Sequence, residues 1–144
     1  TGPSKQVIHC ANSILGTVCQ MNFYGGSDEI RPKWMVTCLP PALVAVVVSM
    51  VMLPLSSNKL LIMDPFVDPE DVDLEMMRYR PNGWPMIPMF IEMVMRNGRV
   101  PADYDMSHLL AAGAGCEAVN NNQLDRVQNF LEDHNCHLRF TVGY

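Results

Sequence analysis

The residues best suited to chemistry lie close together near the carboxyl end of the chain. His134, Cys136 and His137 fall within a short polar segment, and Cys116 precedes them by a stretch long enough to fold back as a helix. Imidazole and thiolate groups are ligands for zinc and other borderline metals. Their spacing matches no standard zinc finger, and a polar turn at a helix end is the simpler interpretation. We therefore keep these four residues as candidate metal ligands and predict no cofactor.

A catalytic site is not evident in the sequence. His108 and Cys116 could form a nucleophile pair, but on a helix they would lie about two turns apart, and no third orienting group accompanies them. Nothing resembles a nucleophile elbow, a metalloprotease helix, a phosphate loop or a dinucleotide fingerprint. Because catalytic triads can assemble from residues far apart in the chain, the absence of such a motif does not exclude catalysis. The sequence nevertheless favours a non-catalytic protein.

The longest apolar run, residues 34–55, must belong to an element that is buried or surrounded by lipid. No charged residue occurs between Lys33 and Lys59. As a helix, a run of about 22 residues would reach roughly 33 Å, enough for a hydrocarbon core of about 30 Å. Backbone amides in lipid must be bonded within the segment, so such a run would be helical. We predict a single transmembrane helix over 34–55 whose lipid-facing side includes Trp34, Leu43, Val47, Met50 and Leu53.

Prolines and valines in this run support an alternative to the transmembrane helix. Pro40 and Pro41 would kink a continuous helix. Val44, Val46 and the valines after them are β-branched and suit a strand buried on both faces. The alternative fold is a soluble α+β domain with a buried strand at residues 42–51.

The main prediction is a mostly α chain in three parts. These are an N-terminal extramembrane segment (1–33), the transmembrane helix (34–55), and a C-terminal extramembrane region (56–144) of short helices and extended proline-rich segments.

The C-terminal region carries the clearest helix signals. Asp68 before Pro69 predicts an N-cap for a helix over 69–79. Pro88 and Asn97-Gly98 bound a short helix. Asp103 or Asp105 could cap a third helix over 107–114. The apolar spacing of 123–134 predicts an amphipathic helix, and 139–142 is extended in character.

The composition of the chain indicates which kinds of partner it can bind. Charged residues make up 17% of the chain and hydrophobic residues 49%, and the charged share is below the ~25% of ordinary globular domains. The net charge of −5 argues against a nucleic-acid partner. Methionine adapts to irregular contact surfaces, so the apolar segment after the span is expected to contact protein partners through Trp84, Met86, Met89, Phe90 and Met93.

Together these observations predict a non-catalytic, single-pass accessory or structural subunit of a large membrane protein complex. An organellar energy-converting complex, such as a respiratory chain complex, an ATP synthase or a photosystem, fits that description. Its partners would be other subunits and the lipid bilayer of an organellar inner membrane. Lys5, Arg31 and Lys33 place the N-terminus on the matrix or cytoplasmic side. The alternative is a soluble coat or scaffold subunit that self-assembles.

Overall fold

A parallel β-sheet forms the centre of the molecule in the computed structural model. The structure describes residues 8, 10–24, 33–37, 39, 43, 46–57, 59–64, 66–115 and 117–143. Within these residues the strands are β1 (Lys33–Thr37), β2 (Leu60–Asp64), β3 (Gly83–Met86), β4 (Ala111–Ala114) and β5 (Thr141–Val142).

Helices fill most of the connections between the strands. A π-helix (Val46–Met52) runs directly into α2, and one turn of 3-10 helix (Pro69–Asp71) leads into α3. The α-helices are α1 (Ala11–Tyr24), α2 (Leu53–Ser56), α3 (Val72–Tyr79), α4 (Pro88–Asn97) and α5 (Asn121–Asp133).

The strand order is β2-β1-β3-β4-β5, and every pair of neighbours is parallel. The chain moves in one direction from β1 to β2, then crosses back past β1 to β3 and continues in the opposite direction. Parallel crossovers are right-handed, so the connection from β1 to β2 covers one face of the sheet and the later connections cover the other. The fold is a doubly wound α/β arrangement.

Alternation along the strands divides the buried side chains between the two faces. On the face covered by α3, α4 and α5, Met35, Trp84 and Ala112 pack with helix residues such as Val94 and Leu131. On the other face, Trp34 packs against a smaller cluster formed by Leu39, Val46 and Phe90. Strands β1 and β2 thus contribute apolar side chains to both clusters, which is typical of a parallel sheet.

A glycine permits the close approach of β1 and β3. Gly83 is paired with Trp34, and a Cβ atom at Gly83 would lie 1.9 Å from Cε3 of the indole ring. No side chain fits there, so the ring of Trp34 occupies the space above β3.

The prediction of a mostly α protein with a transmembrane helix is wrong. Residues 34–55 are divided between β1, the π-helix and α2. Among the described residues, no helix combines the length and apolar character needed to cross a bilayer. The run is apolar because β1 lies between two other strands and the helical segment packs beside it. The predicted membrane localisation depended on this span and is therefore also wrong.

The five residues predicted to face lipid lie in several environments. Trp34 is half-buried in β1, Leu53 is buried in α2, and Leu43 and Val47 are 47% and 40% exposed. Met50 belongs to the π-helix. The alternative of an α+β domain is closer to the structure, although the strand lies at 33–37 and residues 46–51 are helical. Pro40 and Pro41 lie outside the described residues.

Most helix signals in the C-terminal region are confirmed. The Asp68 carboxylate accepts a hydrogen bond from the amide of Glu70, and the helix that follows ends at Tyr79. Helix α4 begins at Pro88 and is followed by Gly98, which has a left-handed backbone. Helix α5 and strand β5 match the other two expectations.

The helix predicted over 107–114 is wrong, because this segment contains β4. Its small residues are required by the neighbouring strands rather than by helical propensity. A Cβ atom at Gly113 would lie 2.5 Å from Oγ1 of Thr141 in β5. The division of the chain at residues 33 and 55 stays a prediction.

Candidate functional site

The carboxyl ends of parallel strands are where ligands bind in open α/β sheets. Three strands end side by side at this edge. The amide of Gly115, just beyond β4, donates to the carbonyl of Met86 in β3 at 3.2 Å. The amide of Gly143, just beyond β5, donates to the carbonyl of Ala114 in β4 at 2.9 Å. The hydrogen-bonded ladder therefore continues past the ends of the strands and holds this edge rigid.

Described residues at the ends of β1 and β3 form an apolar cluster. In a sheet of this strand order the chain reverses direction between these two strands, and ligands commonly bind at that position. Here Leu39, which follows β1, and Phe90, at the start of α4, are buried together with Val46 of the π-helix.

Glycines are frequent among the described residues at the ends of β4 and β5. We call Gly113, Gly115, Thr141 and Gly143 the glycine edge. A Cβ atom at Gly115 would lie 3.1 Å from the carbonyl oxygen of Gly143, and nothing lies within 4 Å of one at Gly143. The hydroxyl of Thr141 donates to the carbonyl of Ala112 at 3.3 Å. The side chain of Thr141 therefore covers Gly113, whereas a ligand can reach the backbone closely at Gly143.

Helix α5 begins beside the glycine edge because the connection from β4 is short. Its first turn is closed by a capping box: the side chain of Asn120 accepts from the amide of Gln123 at 2.9 Å, and the side chain of Gln123 accepts from the amide of Asn120 at 3.1 Å. The positive end of the helix dipole thus lies at the carboxyl edge, where it favours a nearby anion.

The opposite, amino edge of the sheet is held by a structural hydrogen-bond network. The side-chain oxygen of Asn82 accepts from the amide of Lys33 at 2.9 Å, and its side-chain nitrogen donates to the carbonyl of His108 at 2.9 Å. Asn82 therefore ties the starts of β1 and β3 to the loop before β4.

His108 belongs to this amino edge. Its Nδ1 lies 2.7 Å from the carbonyl of Pro81, and its Nε2 lies 3.4 Å from the hydroxyl of Tyr104. Burial lowers the pKa of His108, which favours the neutral ring. Cys116 is outside the described residues, so the structure does not test the pairing of His108 with Cys116 that was considered from the sequence.

An ion-pair cluster connects α3 to the loop after α4. The carboxylate of Asp73 is fully buried, and its Oδ2 accepts from Nε of Arg99 at 2.8 Å. A second nitrogen of Arg99 donates to Asp71 at 2.9 Å. Hydrogen bonds to Asp73 and then to Asp71 raise the pKa of Arg99 above its usual range. The sequence analysis missed this cluster, because its members are far apart in the chain.

The candidate metal ligands are only partly described. His134 is buried, with Nδ1 2.7 Å from the carbonyl of Phe130. Cys136 is a buried free thiol whose pKa is raised by burial, and His137 is exposed. Within the described part of the chain, no three potential ligands come together. Cys116 lies outside it, so the metal site stays a prediction.

The five residues predicted to contact partners divide into two groups. Trp84, Met86 and Phe90 are buried within the molecule. Met89 is 49% exposed and Met93 is half-buried, so only these two remain available on the surface. The predicted protein and lipid partners stay predictions.

Comparison with known proteins gives similarity in structure alone. No family model matches the chain, and no curated protein matches it in sequence. A long-chain-fatty-acid-CoA ligase from Archaeoglobus fulgidus is similar in structure, with a TM-score of 0.69, 15% identity, and 90% of this chain and 26% of that chain covered. The chain shares the fold of the matched part of that ligase.

Two further solved structures are similar. The fatty acyl-adenylate ligase from L. pneumophila, in complex with acyl adenylate and pyrophosphate, has a TM-score of 0.65 and 13% identity over 88% of this chain and 23% of that chain. The adenylation domain of a keto acid-selecting NRPS module, bound to keto acyl adenylate, has a TM-score of 0.73 and 16% identity over 91% and 26%. The chain therefore spans about a quarter of the length of these enzymes.

These similarities correct the functional predictions. The fold recurs in ligases and adenylation domains, whereas the sequence favoured a non-catalytic accessory subunit of a membrane complex. That prediction is wrong, as is its assignment to electron transport in a mitochondrial inner membrane. The sequence failed here because no motif marks the glycine edge: Gly113, Gly115 and Gly143 come from two strands and the residues beyond them.

Proposed function

We propose that the protein is an adenylate-forming ligase and that this chain supplies part of its adenylate-binding region. The observation that carries the proposal is the glycine edge, where Gly115 and Gly143 follow β4 and β5 at the carboxyl end of a parallel sheet and Gly143 leaves open space beside the backbone. The similar structures support it, because two of them are described as containing an acyl adenylate.

The shape of the glycine edge suits a flat, aromatic base. Gly113 and Gly115 alternate with Ala112 and Ala114, so the glycines are on the face of the sheet away from α4 and α5. Nothing described lies within 4 Å of a Cβ atom at Gly143, so an adenine ring can lie against the backbone beyond β4 and β5 and hydrogen-bond with backbone groups there.

The neighbouring helix end suits the charged part of the same ligand. An adenylate carries a phosphate beside its sugar, and the first turn of α5, beginning after Asn120, presents a positive dipole at this edge. In adenylate formation a carboxylate oxygen attacks the α-phosphorus of ATP, and the bond from that phosphorus to the bridging oxygen breaks. Pyrophosphate then leaves with the electron pair. The role of this chain in that step is to bind and orient the nucleotide.

Nucleotide binding by matched valine variants tests the proposal. Gly115→Val places a branched side chain over the glycine edge, whereas Gly16→Val adds the same group to α1, where nothing lies within 4 Å. We expect AMP to bind the protein, and Gly115→Val to weaken that binding by at least about tenfold, measured by calorimetry. Carboxylate-dependent exchange of labelled pyrophosphate into ATP should fall in parallel.

The control separates the site from general effects on folding. Gly16→Val should keep the AMP affinity of the unmodified protein, and both variants should retain its circular dichroism spectrum. Failure of the unmodified protein to bind AMP, or equal affinity in Gly115→Val, would refute the proposal.

A further inference from the structure

A second cleft lies on the surface between α4 and α5. Its volume is about 480 Å³, within the range of roughly 300 to 1,000 Å³ that small-molecule sites occupy. It is lined by Met89, Glu92, Met93, Met95, Arg96 and Arg126. No residue of the glycine edge lines this cleft.

The thioether side chains form an apolar lining that is anchored in the protein. Met93 packs against the cluster of Leu39, Val46 and Phe90, and Met95 packs against the main core. Met89 is 49% exposed at the mouth of the cleft. Flexible methionine side chains can adjust to an apolar chain of variable shape. The cleft therefore combines a fixed floor with an adaptable entrance.

The charges at the rim favour an anion. Arg126 forms a salt bridge with Glu92, which holds the two helices together across the cleft. Arg96 is exposed one turn after Glu92, and no ion pair of Arg96 occurs in the described part of the chain. Two guanidinium groups against one carboxylate leave a net positive charge beside an apolar surface.

We propose that this cleft binds an aliphatic carboxylate, with the hydrocarbon chain against the methionines and the carboxylate at Arg96. Guanidinium groups match carboxylates in geometry and can donate two parallel hydrogen bonds. The cleft has the size of a small-molecule site rather than of a groove for a partner helix. Because the cleft shares no lining residue with the glycine edge, its ligand is distinct from the nucleotide of the proposed function.

Methyl NMR of the whole protein tests this site, with octanoate as the probe. The chain contains 12 methionines, and their labelled methyl groups report separately on the cleft and the core. We expect octanoate to shift Met89, Met93 and Met95 and to leave the fully buried Met35 and Met106 unchanged. Octanol, which lacks the charge, should bind at least about tenfold more weakly, because a hydrogen bond to a charged group is lost.

Two arginine variants provide the matched comparison. Arg96→Gln should weaken octanoate binding by about tenfold or more, and should bring its affinity close to that of octanol. Arg78→Gln removes the same charge from α3, where Arg78 pairs with Glu75 outside the cleft, and should change nothing. The inference is overturned if octanoate does not bind, if octanol binds equally well, or if Arg78→Gln has the same effect as Arg96→Gln. Shifts spread over the core methionines would equally contradict it.

Discussion

Replacing Gly83 by alanine should force β1 and β3 apart through the ring of Trp34. The added Cβ atom would lie 1.9 Å from Cε3 and 2.3 Å from Cζ3 of the indole, whereas ordinary van der Waals contacts of carbon atoms are near 3.5 to 4.0 Å. The ring must therefore move by more than an ångström. It is held by its packing against the smaller core cluster and by Lys59, whose ammonium nitrogen lies 4.9 Å from the ring centroid.

The expected loss of stability follows from these contacts. Forcing an extra carbon into a packed site typically costs about 1 to 3 kcal/mol, and a rigid ring overlapped by this much places Gly83→Ala near the upper end. Alanine also restricts the unfolded chain more than glycine does, which raises the free energy of unfolding by about 0.4 to 1 kcal/mol. This gain applies because Gly83 does not have a positive φ, which alanine would disfavour. We expect a net decrease of about 2 kcal/mol in the free energy of unfolding.

Urea unfolding followed by tryptophan fluorescence measures this decrease, and a second substitution identifies its cause. Trp34→Leu removes the overlapping ring and is destabilising by itself because apolar contacts are lost. In the Trp34→Leu background, Gly83→Ala should cost little, giving a coupling of about 2 kcal/mol between the two sites. Additive effects, or a cost of Gly83→Ala below about 0.5 kcal/mol, would refute the reasoning. Gly16→Ala, on the open side of α1, should not destabilise the protein.

Two further predictions concern charged groups. Arg99→Met leaves the fully buried carboxylate of Asp73 without its cation, so Tm should fall by several degrees, whereas Arg139→Met, at an exposed site, should leave Tm unchanged. If Arg99→Met and Arg139→Met have the same Tm, the ion-pair cluster contributes nothing to stability. The lowered pKa of His108 means that the unfolded chain, with a histidine pKa of about 6.5, binds more protons than the folded one near that pH. Stability should therefore rise with pH through this window and be lost as the pH falls below about 6.5, and His108→Gln should flatten this part of the profile. An unchanged profile in that variant would contradict the assignment.

The sequence by itself determined the elements whose signals are local. Asp68 followed by Pro69 marked the start of the segment leading to α3, and Gly98 marked the end of α4. Caps and helix ends are set by hydrogen bonds between residues a few positions apart, so neighbours in the chain carry the information. The 3.6-residue spacing that predicted α5 has the same local origin.

Long-range pairing decided the rest of the fold. An apolar run long enough for a membrane span became β1 and a separate helical segment, because β1 finds hydrogen-bond partners in β2 and β3. The segment 111–114 became a strand because Gly113 and its small neighbours fit between β3 and β5. No local rule distinguishes these outcomes, since burial makes a sequence apolar in a sheet as well as in lipid.

The candidate sites depend on the same long-range contacts. The glycine edge exists only where β4 and β5 bring Gly113 and Gly115 next to Gly143, and the second cleft exists only where α4 and α5 place Arg96 near Arg126. The sequence supplied the residue types and the helices. Tertiary structure supplied the neighbours, because the residues that form each site are far apart in the chain and are brought together only by the parallel sheet and its crossovers.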